Sequence, residues 1–327
     1  MLLALLIAAA VPEALAGGGK FELTVIDGDT GQPIACRMHL KSPNGKPRKV
    51  RGFPNWNDHF VFPGKVIFEL PRGTYTLQIE RGPEYQDHSG HFVIDNFADD
   101  AKTVTMKRFV NMADEGWFAG DLDVRRPLKD IELLMQAEDL RVAGSVTWQN
   151  RKSEWDKLAL PKNPLVRFED RFYHLMAGED ARGGNAVLYC NLPAPIDLKS
   201  AQPEYPPASA FMADARRQGG WVDVEMLSSW DLPVWLAAGL VDSVQLANHD
   251  LCRVGVPKQE PPGKPRDSKR FPGAWGNGQW SQEIYYHMLN CGLRLPPTAG
   301  SGSGLRPNPL GYNRVYVYCG RDFSYEN

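Results

Sequence analysis

Along Thr74-Tyr75-Thr76-Leu77-Gln78-Ile79 polar and apolar residues alternate one by one, the pattern of a strand with one buried face. The same period runs through Phe21-Glu22-Leu23-Thr24-Val25-Ile26 and Val66-Ile67-Phe68-Glu69-Leu70. Asp27-Gly28-Asp29-Thr30-Gly31 and Pro71-Arg72-Gly73 separate such runs with turn chemistry. Short strands at this spacing, with no long helix, predict a small antiparallel β-sandwich over residues 20–110.

Beyond Trp117 the rhythm changes to strand, loop, helix. Strand-like runs at 141–148, 186–191, 221–225, 242–247 and 313–318 alternate with helix-compatible runs at 130–140, 208–218, 233–240 and 279–290. Apolar strands alternating with helices predict a parallel sheet, and their number favours closure. Residues 111–327 are therefore read as an α/β domain, a distorted TIM-type βα barrel. The chain stops just after a strand and Phe323-Ser324-Tyr325, so this domain reads as C-terminally incomplete.

In such barrels the chemistry gathers where strands end. The first strand delivers Asp121 and Asp123, the second Trp148 and Asn150, and later ones Asn191, Glu225, and Asn248 with His249; Glu179 stands in the stretch 176–180, taken as a loop. Along Gly120-Asp121-Leu122-Asp123-Val124-Arg125-Arg126-Pro127, alternation puts Asp121, Asp123 and Arg125 on one face, and Pro127 opens a helix. A ring of carboxylate, amide and imidazole groups at one rim points to a site.

This segment, followed by Glu132-Leu133-Leu134-Met135, resembles the entry motif of the CehA/McbA-type metallohydrolases of the PHP phosphoesterase superfamily. In that family the motif reads Asp-Leu-His-x-His and both histidines bind metal; here Asp123 and Arg125 stand in their places. Met176-Ala177-Gly178-Glu179-Asp180 is similar to the second motif, whose Glu is a metal ligand. Gly220-Trp221-Val222-Asp223-Val224-Glu225 lies where related proteins often have Ala-His-Pro, so Glu225 would replace that histidine. Leu246-Ala247-Asn248-His249 and Trp280 to His287 are similar to later blocks, while Ala299-Gly300-Ser301-Gly302-Ser303 takes the place of the final Asp-x-His. The N-terminal third, with Asp27-x-x-Thr30-Gly31-x-Pro33-Ile34 and Leu70-Pro71-x-Gly73-x-Tyr75-Thr76, resembles the transthyretin-like fold of carboxypeptidase regulatory domains, an accessory module.

The resemblance implies a PHP-like barrel whose metal ligands are Asp121, Asp123, Glu179, Glu225 and His249. The cofactor implied is a divalent metal, Mn, Mg or Zn, and so oxygen-rich a set suits Mg, Mn or Ca better than Zn. Two functions follow. In one, the protein is an exported hydrolase of esters or phosphoesters: Asp123, Glu179 and His249 hold a water-activating ion and Arg125 or Arg126 clamps an anionic group. In the other, catalysis is lost and the scaffold binds an anion or carbohydrate through Arg125 and rim aromatics, since arginine cannot lower the pKa of water as a metal does. Trp148, Asn191 and Asn248 are further expected substrate contacts. His174 and His287 read as packing residues, and Trp221, Trp230 and Trp235 as core.

Composition narrows the setting. A chain of 327 residues with 43% apolar content and a net charge of -2 can build two cores and carries no basic excess for nucleic acid. Residues 1–16, apolar from Leu2 to Val11 and ending Ala14-Leu15-Ala16, fit a signal peptide, implying export, and no later segment is long enough to span a bilayer. The five cysteines have neither disulfide-scaffold nor zinc spacing and read as free thiols. Val256 to Gly278, rich in Pro, Gly, Lys and Arg, is long enough to be a lid. Nothing in the sequence sets an oligomeric state.

Overall fold

The structure, a computed structural model, describes residues 18–327 except 97–98, 256–259, 261, 274 and 322; the expected signal peptide lies outside the described residues. The first strands are β1 (Gly18–Asp27), β2 (Cys36–Lys41), β3 (Asn55–Trp56), β4 (His59–Phe62), β5 (Lys65–Pro71), β6 (Gly73–Glu80), β7 (His88–Ile94) and β8 (Asp99–Met106). They form a three-stranded sheet, β5-β1-β8, and a five-stranded sheet, β3-β4-β2-β6-β7. Alternation decides what each buries: Val66, Phe68 and Leu70 of β5 turn inward while Lys65, Ile67 and Glu69 face out. The inward sets meet in one core with Phe21, Leu23, Val25, Met38, Leu40, Phe60, Ile79 and Phe92, where Phe21 and Phe92 stack at 4.3 Å.

The second part corrects the expected architecture. It holds β9 (Trp117–Val124), α1 (Ile131–Ala137), β10 (Val142–Gln149), β11 (Lys152–Ser153), β12 (Leu165–Phe168), β13 (Arg171–Asp180), β14 (Val187–Cys190), α2 (Ala208–Arg217), β15 (Trp221–Val224), α3 (Leu232–Ala237), β16 (Ser243–Ala247), α4 (Gly276–Asn290), β17 (Pro297–Ala299) and β18 (Val315–Tyr318). These strands make one mixed ten-stranded sheet, ordered β17-β16-β15-β14-β13-β10-β9-β18, with β11 and β12 attached at its side. The sheet curls until a bridge from Val124 to Ser303 ties β9 to the loop after β17. It is a nearly closed, mostly β barrel with few helices, not a TIM-type βα barrel. The reason lies in the middle: β13 and β14 are antiparallel, as are β14 and β15. Arg171–Asp180 is a strand, and the short connection through Gly183 and Gly184, both at positive φ, makes a hairpin that leaves no room for a crossover helix.

Register sorts the two faces. Gln149, Glu179, Leu188, Asp223 and Ser243 fall in line across five strands, so their side chains share one face. Trp148, Gly178, Tyr189 and Val222 line up on the other, and with Val244 of β16 and Met212, Trp235 and Met288 from the helical layer they form the main apolar core. A side chain on Gly178 would collide with the Trp148 indole, its Cβ falling 1.8 Å from the ring; glycine lets that indole stack on Tyr189 at 5.8 Å. The other face is polar and buried, which sets the stage for the site.

Arginines sew the two parts together. Arg37 on β2 pairs with Glu80 and, at 2.5 Å, with Glu138 just past α1; Arg108 binds Asp139 at 2.6 Å and Glu84 at 2.7 Å. Arg81 donates to the carbonyls of Ala35 and Gln136. The five cysteines are free thiols. Among the described residues no helix is long and apolar enough to cross a membrane.

Candidate functional site

Four segments deliver side chains to one point on the polar face. Asp123 comes from β9, Glu179 from the end of β13, Glu225 from just past β15 and His249 from just past β16, with Arg125 in their midst. Arg125 Nε donates to Asp123 Oδ1 at 2.7 Å, Nη1 to Glu179 Oε2 at 2.8 Å, and Nη2 to Glu225 Oε1 at 3.3 Å and Asp123 Oδ2 at 3.3 Å. His249 Nδ1 lies 3.3 Å from Asp123 Oδ2 and pairs with Glu225. Gln149 donates to Glu179 Oε2. The three carboxylates are all but sealed from solvent, at 0 to 3% exposure.

Burial on this scale decides the protonation states. It pushes the Glu179 carboxyl up to about 8, with the neighbouring Glu225 charge adding to the rise and Arg125 opposing it. For Asp123 burial also works against ionisation, but Arg125 and His249 prevail and hold it at about 2. Glu225 is lowered in the same way, its burial outweighed by His249 and Arg125. Burial disfavours the His249 cation, yet Glu225 and Asp123 raise it well above an ordinary imidazole. At neutral pH the cage thus holds two anions, Asp123 and Glu225, against two cations, Arg125 and His249, with Glu179 neutral.

The divalent metal that the motifs imply needs donor atoms with free lone pairs. Asp123, Glu225 and His249 each offer an atom, all within 4.8 Å of one another. Those same carboxylate oxygens already accept from Arg125, whose side chain is only 9% exposed, and a protonated His249 has no lone pair to give. With Arg125 seated there, the residues do not fit a resident divalent ion.

The other expected site residues scatter. Asp121 is fully buried and accepts from the backbone N–H groups of Asp123, Ser301 and Gly311 at 3.1, 2.9 and 2.7 Å, so it holds the glycine-rich loop rather than a ligand. That loop needs its glycines: a Cβ on Gly302, at φ +59°, would fall 2.4 Å from His249 Cβ. Arg126 lies over the Trp56 ring at 5.1 Å, packed toward the sandwich. Trp148 is in the apolar core, and Asn191 ends β14 at the far end, where it accepts from Tyr325. Asn248 stays at the site, its amide donating to the Glu225 carbonyl at 3.2 Å.

Beside the cage opens a cleft of about 420 Å³, lined by Glu179, Glu225, Asn248 and His249 on one side and by Gly184 and Pro262 on another. Its remaining cations are engaged: Arg182 forks onto Asp180, and Arg306 donates to Asp250 at 2.6 Å. Glu225 Oε2, by contrast, is buried with no hydrogen-bond partner. Trp230, 54% exposed, stands against Gly184, a residue of the cleft wall. Glu260 and Pro262, from the segment expected to be a lid, contribute to the wall. Sequence reasoning missed Gln149, which counting the alternation from Trp148 would have turned to the opposite face, toward Glu179, and it placed Trp221 and Trp230 in the core, whereas they are 44% and 54% exposed.

No protein-family model matches the chain, and no curated protein does. Among solved structures it is similar over 35% of its length to 20% of the Bacillus anthracis TIE protein, at 18% identity and a TM-score of 0.23. Over 29% of its length it is similar to 46% of GBS52, the minor pilin of Streptococcus agalactiae, at 24% identity and a TM-score of 0.23. The figures for BcpA, the major pilin subunit of Bacillus cereus, are 28% and 30% of the two chains, 19% identity and 0.21. The chain thus spans less than half the length of each of these proteins, and at such scores the likeness assigns it neither fold nor function.

Proposed function

We propose that the cleft binds a small polyhydroxylated ligand, of mono- or disaccharide size, without a resident metal. The observation that carries this reading is Arg125: it occupies from within the position an ion would need, and leaves Glu225, which lines the cleft, with its Oε2 buried and without a hydrogen-bond partner. An anionic ligand suits the cleft less well, because Arg125, Arg182 and Arg306 are already paired. The volume fits a small ligand, and exposed Trp230 offers an apolar face of the kind that stacks on sugar rings. The leader-like residues 1–16 support an exported protein meeting such ligands outside the cytoplasm.

A second reading, a metal-dependent ester or phosphoester hydrolase of the kind the motifs resemble, is favoured by the mutual reach of Asp123, Glu225 and His249. It requires Arg125 to leave the cage. One experiment separates the two: saccharide titrations followed by ligand-observed NMR in the presence of EDTA, beside turnover of nitrophenyl esters and phosphates with and without MnCl2. Binding in EDTA, weakened in Trp230→Ala and Glu225→Gln, is the expected outcome. No saccharide binding, or Mn-dependent turnover, would overturn the metal-free reading.

A further inference from the structure

A second cluster lies far from the cleft in sequence, within the sandwich. The register Arg37↔Val61 and Met38↔Phe60 between β2 and β4 brings His39 beside His59, and the β3–β4 turn, with Asn57 at φ 47°, folds Asp58 against both. The two imidazoles are 5.3 Å apart and each residue is 4% exposed. His39 Nδ1 lies 3.2 Å from Asp58 Oδ2, and His59 Nδ1 lies 3.3 Å from Asp58 Oδ1. One atom from each of the three residues falls within 4.8 Å of the others. Ligands around a tetrahedral ion with bonds of about 2.1 Å stand roughly 3.4 Å apart, a separation close to that of each imidazole nitrogen from its Asp58 oxygen.

The hydrogen bonding adds an independent sign. Arg253 Nη1 approaches His39 Nδ1 at 3.4 Å and Asp58 Oδ2 at 3.2 Å. Arginine only donates, so a hydrogen bond from Arg253 Nη1 uses the Nδ1 lone pair of His39 together with Asp58 Oδ2, and the guanidinium stands as the cation shared by an imidazole nitrogen and a carboxylate oxygen. His39 Nε2 is buried without a hydrogen-bond partner and faces Glu80 Oε1 at 3.7 Å, the place where a metal-bound histidine usually finds a supporting carboxylate.

We propose that His39, Asp58 and His59 form a transition-metal site of the zinc class, with two nitrogens and one oxygen, into which Arg253 folds as a displaceable substitute for the ion. The donor chemistry suits Zn2+ and its neighbours rather than Mg2+ or Ca2+. Burial keeps both imidazoles in the neutral, metal-competent form: it lowers His39, with Arg253 adding to the effect, and brings His59 down to about 4. Here the contrast with the Arg125 cage is physical. Arg125 is enclosed and bound through three nitrogens, whereas the Arg253 side chain is 26% exposed and reaches two of the three ligands, His39 and Asp58, through Nη1 alone, with Nη2 on Glu80 at 3.4 Å. It can withdraw toward solvent as an ion enters. The site is independent of the ligand reading of the cleft.

The test is titration of the chelator-stripped full chain with ZnCl2 by calorimetry, together with the visible spectrum of the Co2+-loaded protein. One equivalent is expected to bind with a tetrahedral nitrogen–oxygen cobalt spectrum. His59→Gln and Asp58→Asn should each weaken binding by about 100-fold, Arg253→Ala should tighten it by about tenfold through loss of the competing cation, and Glu225→Gln in the cleft should leave it unchanged. Absence of Zn2+ binding, or binding that survives His59→Gln, overturns the proposal. Arg253→Ala keeps all three ligands, so failure of that variant to tighten would overturn it even if a ligand variant did not fold.

Discussion

Replacing Arg125 with alanine removes the positive charge at the centre of the cage. Two ionised carboxylates, Asp123 and Glu225, lie against it. At an effective dielectric near 20 and a charge separation of about 4 Å, each pair is worth about 4 kcal/mol, roughly 8 kcal/mol together. Burying the guanidinium costs several kcal/mol, so the net loss on removing it is about 3–5 kcal/mol, as for other broken buried pairs. At about 2–4 °C per kcal/mol for a chain of this size, the melting temperature should fall by about 6–20 °C. The vacated space is then lined by Asp123, Glu179 and Glu225, with His249 left to face the two ionised carboxylates. Differential scanning calorimetry with and without 5 mM MgCl2 reads both effects: Mg2+ should restore about 2 kcal/mol to the variant, assuming a Kd near 0.2 mM, and nothing to the wild type. A variant as stable as the wild type, or a wild type that gains as much from Mg2+, would refute the view that Arg125 occupies the metal position.

Glu179 carries a pH signature of definite sign. Its folded pKa is raised to about 8 from 4.5, so the folded state holds a proton that the unfolded state releases. That contribution to stability is full below about pH 4.5 and is lost as pH rises toward about 8; urea midpoints should fall across this window in the wild type and fall less in Glu179→Gln, and equal slopes would contradict the assignment. Gly178→Ala drives a methyl group into the Trp148 indole. It should cost about 2–3 kcal/mol and shift tryptophan fluorescence, and a neutral result would mean that the indole does not lie across that strand.

The elements of the second part were easier to read than their arrangement. Each of the runs at 130–140, 208–218, 233–240 and 279–290 contains or overlaps a helix, because amphipathic spacing and flanking Pro or Gly are local signals. Strand direction is not local. Gly178-Glu179-Asp180 looks like a turn, yet it is strand, and the glycine is there for an indole from a neighbouring strand, which no window of sequence can show. The face shared by Asp121, Asp123 and Arg125 was legible from alternation, whereas the difference between them was not: Asp121 is spent on three backbone N–H groups supplied from its own strand and from residues 301 and 311. Likewise, a sequence offers Arg125 only as a charge. Its four contacts with residues 123, 179 and 225 exist because the sheet curls.

The arginines at the seam have a consequence for how this chain can be altered. Arg37 and Arg108 each hold one carboxylate in the sandwich and one in the barrel, and Arg81 caps carbonyls of both. Cutting near residue 110 would break half of these pairs, leaving Arg37 and Arg108 with Glu80 and Glu84 alone, and Glu138 and Asp139 with Arg314 and Arg171, at surfaces no longer covered. The two halves are therefore a poor target for domain shuffling: neither should travel to a new protein as a self-sufficient module, and a protease nick between them should leave the pieces associated.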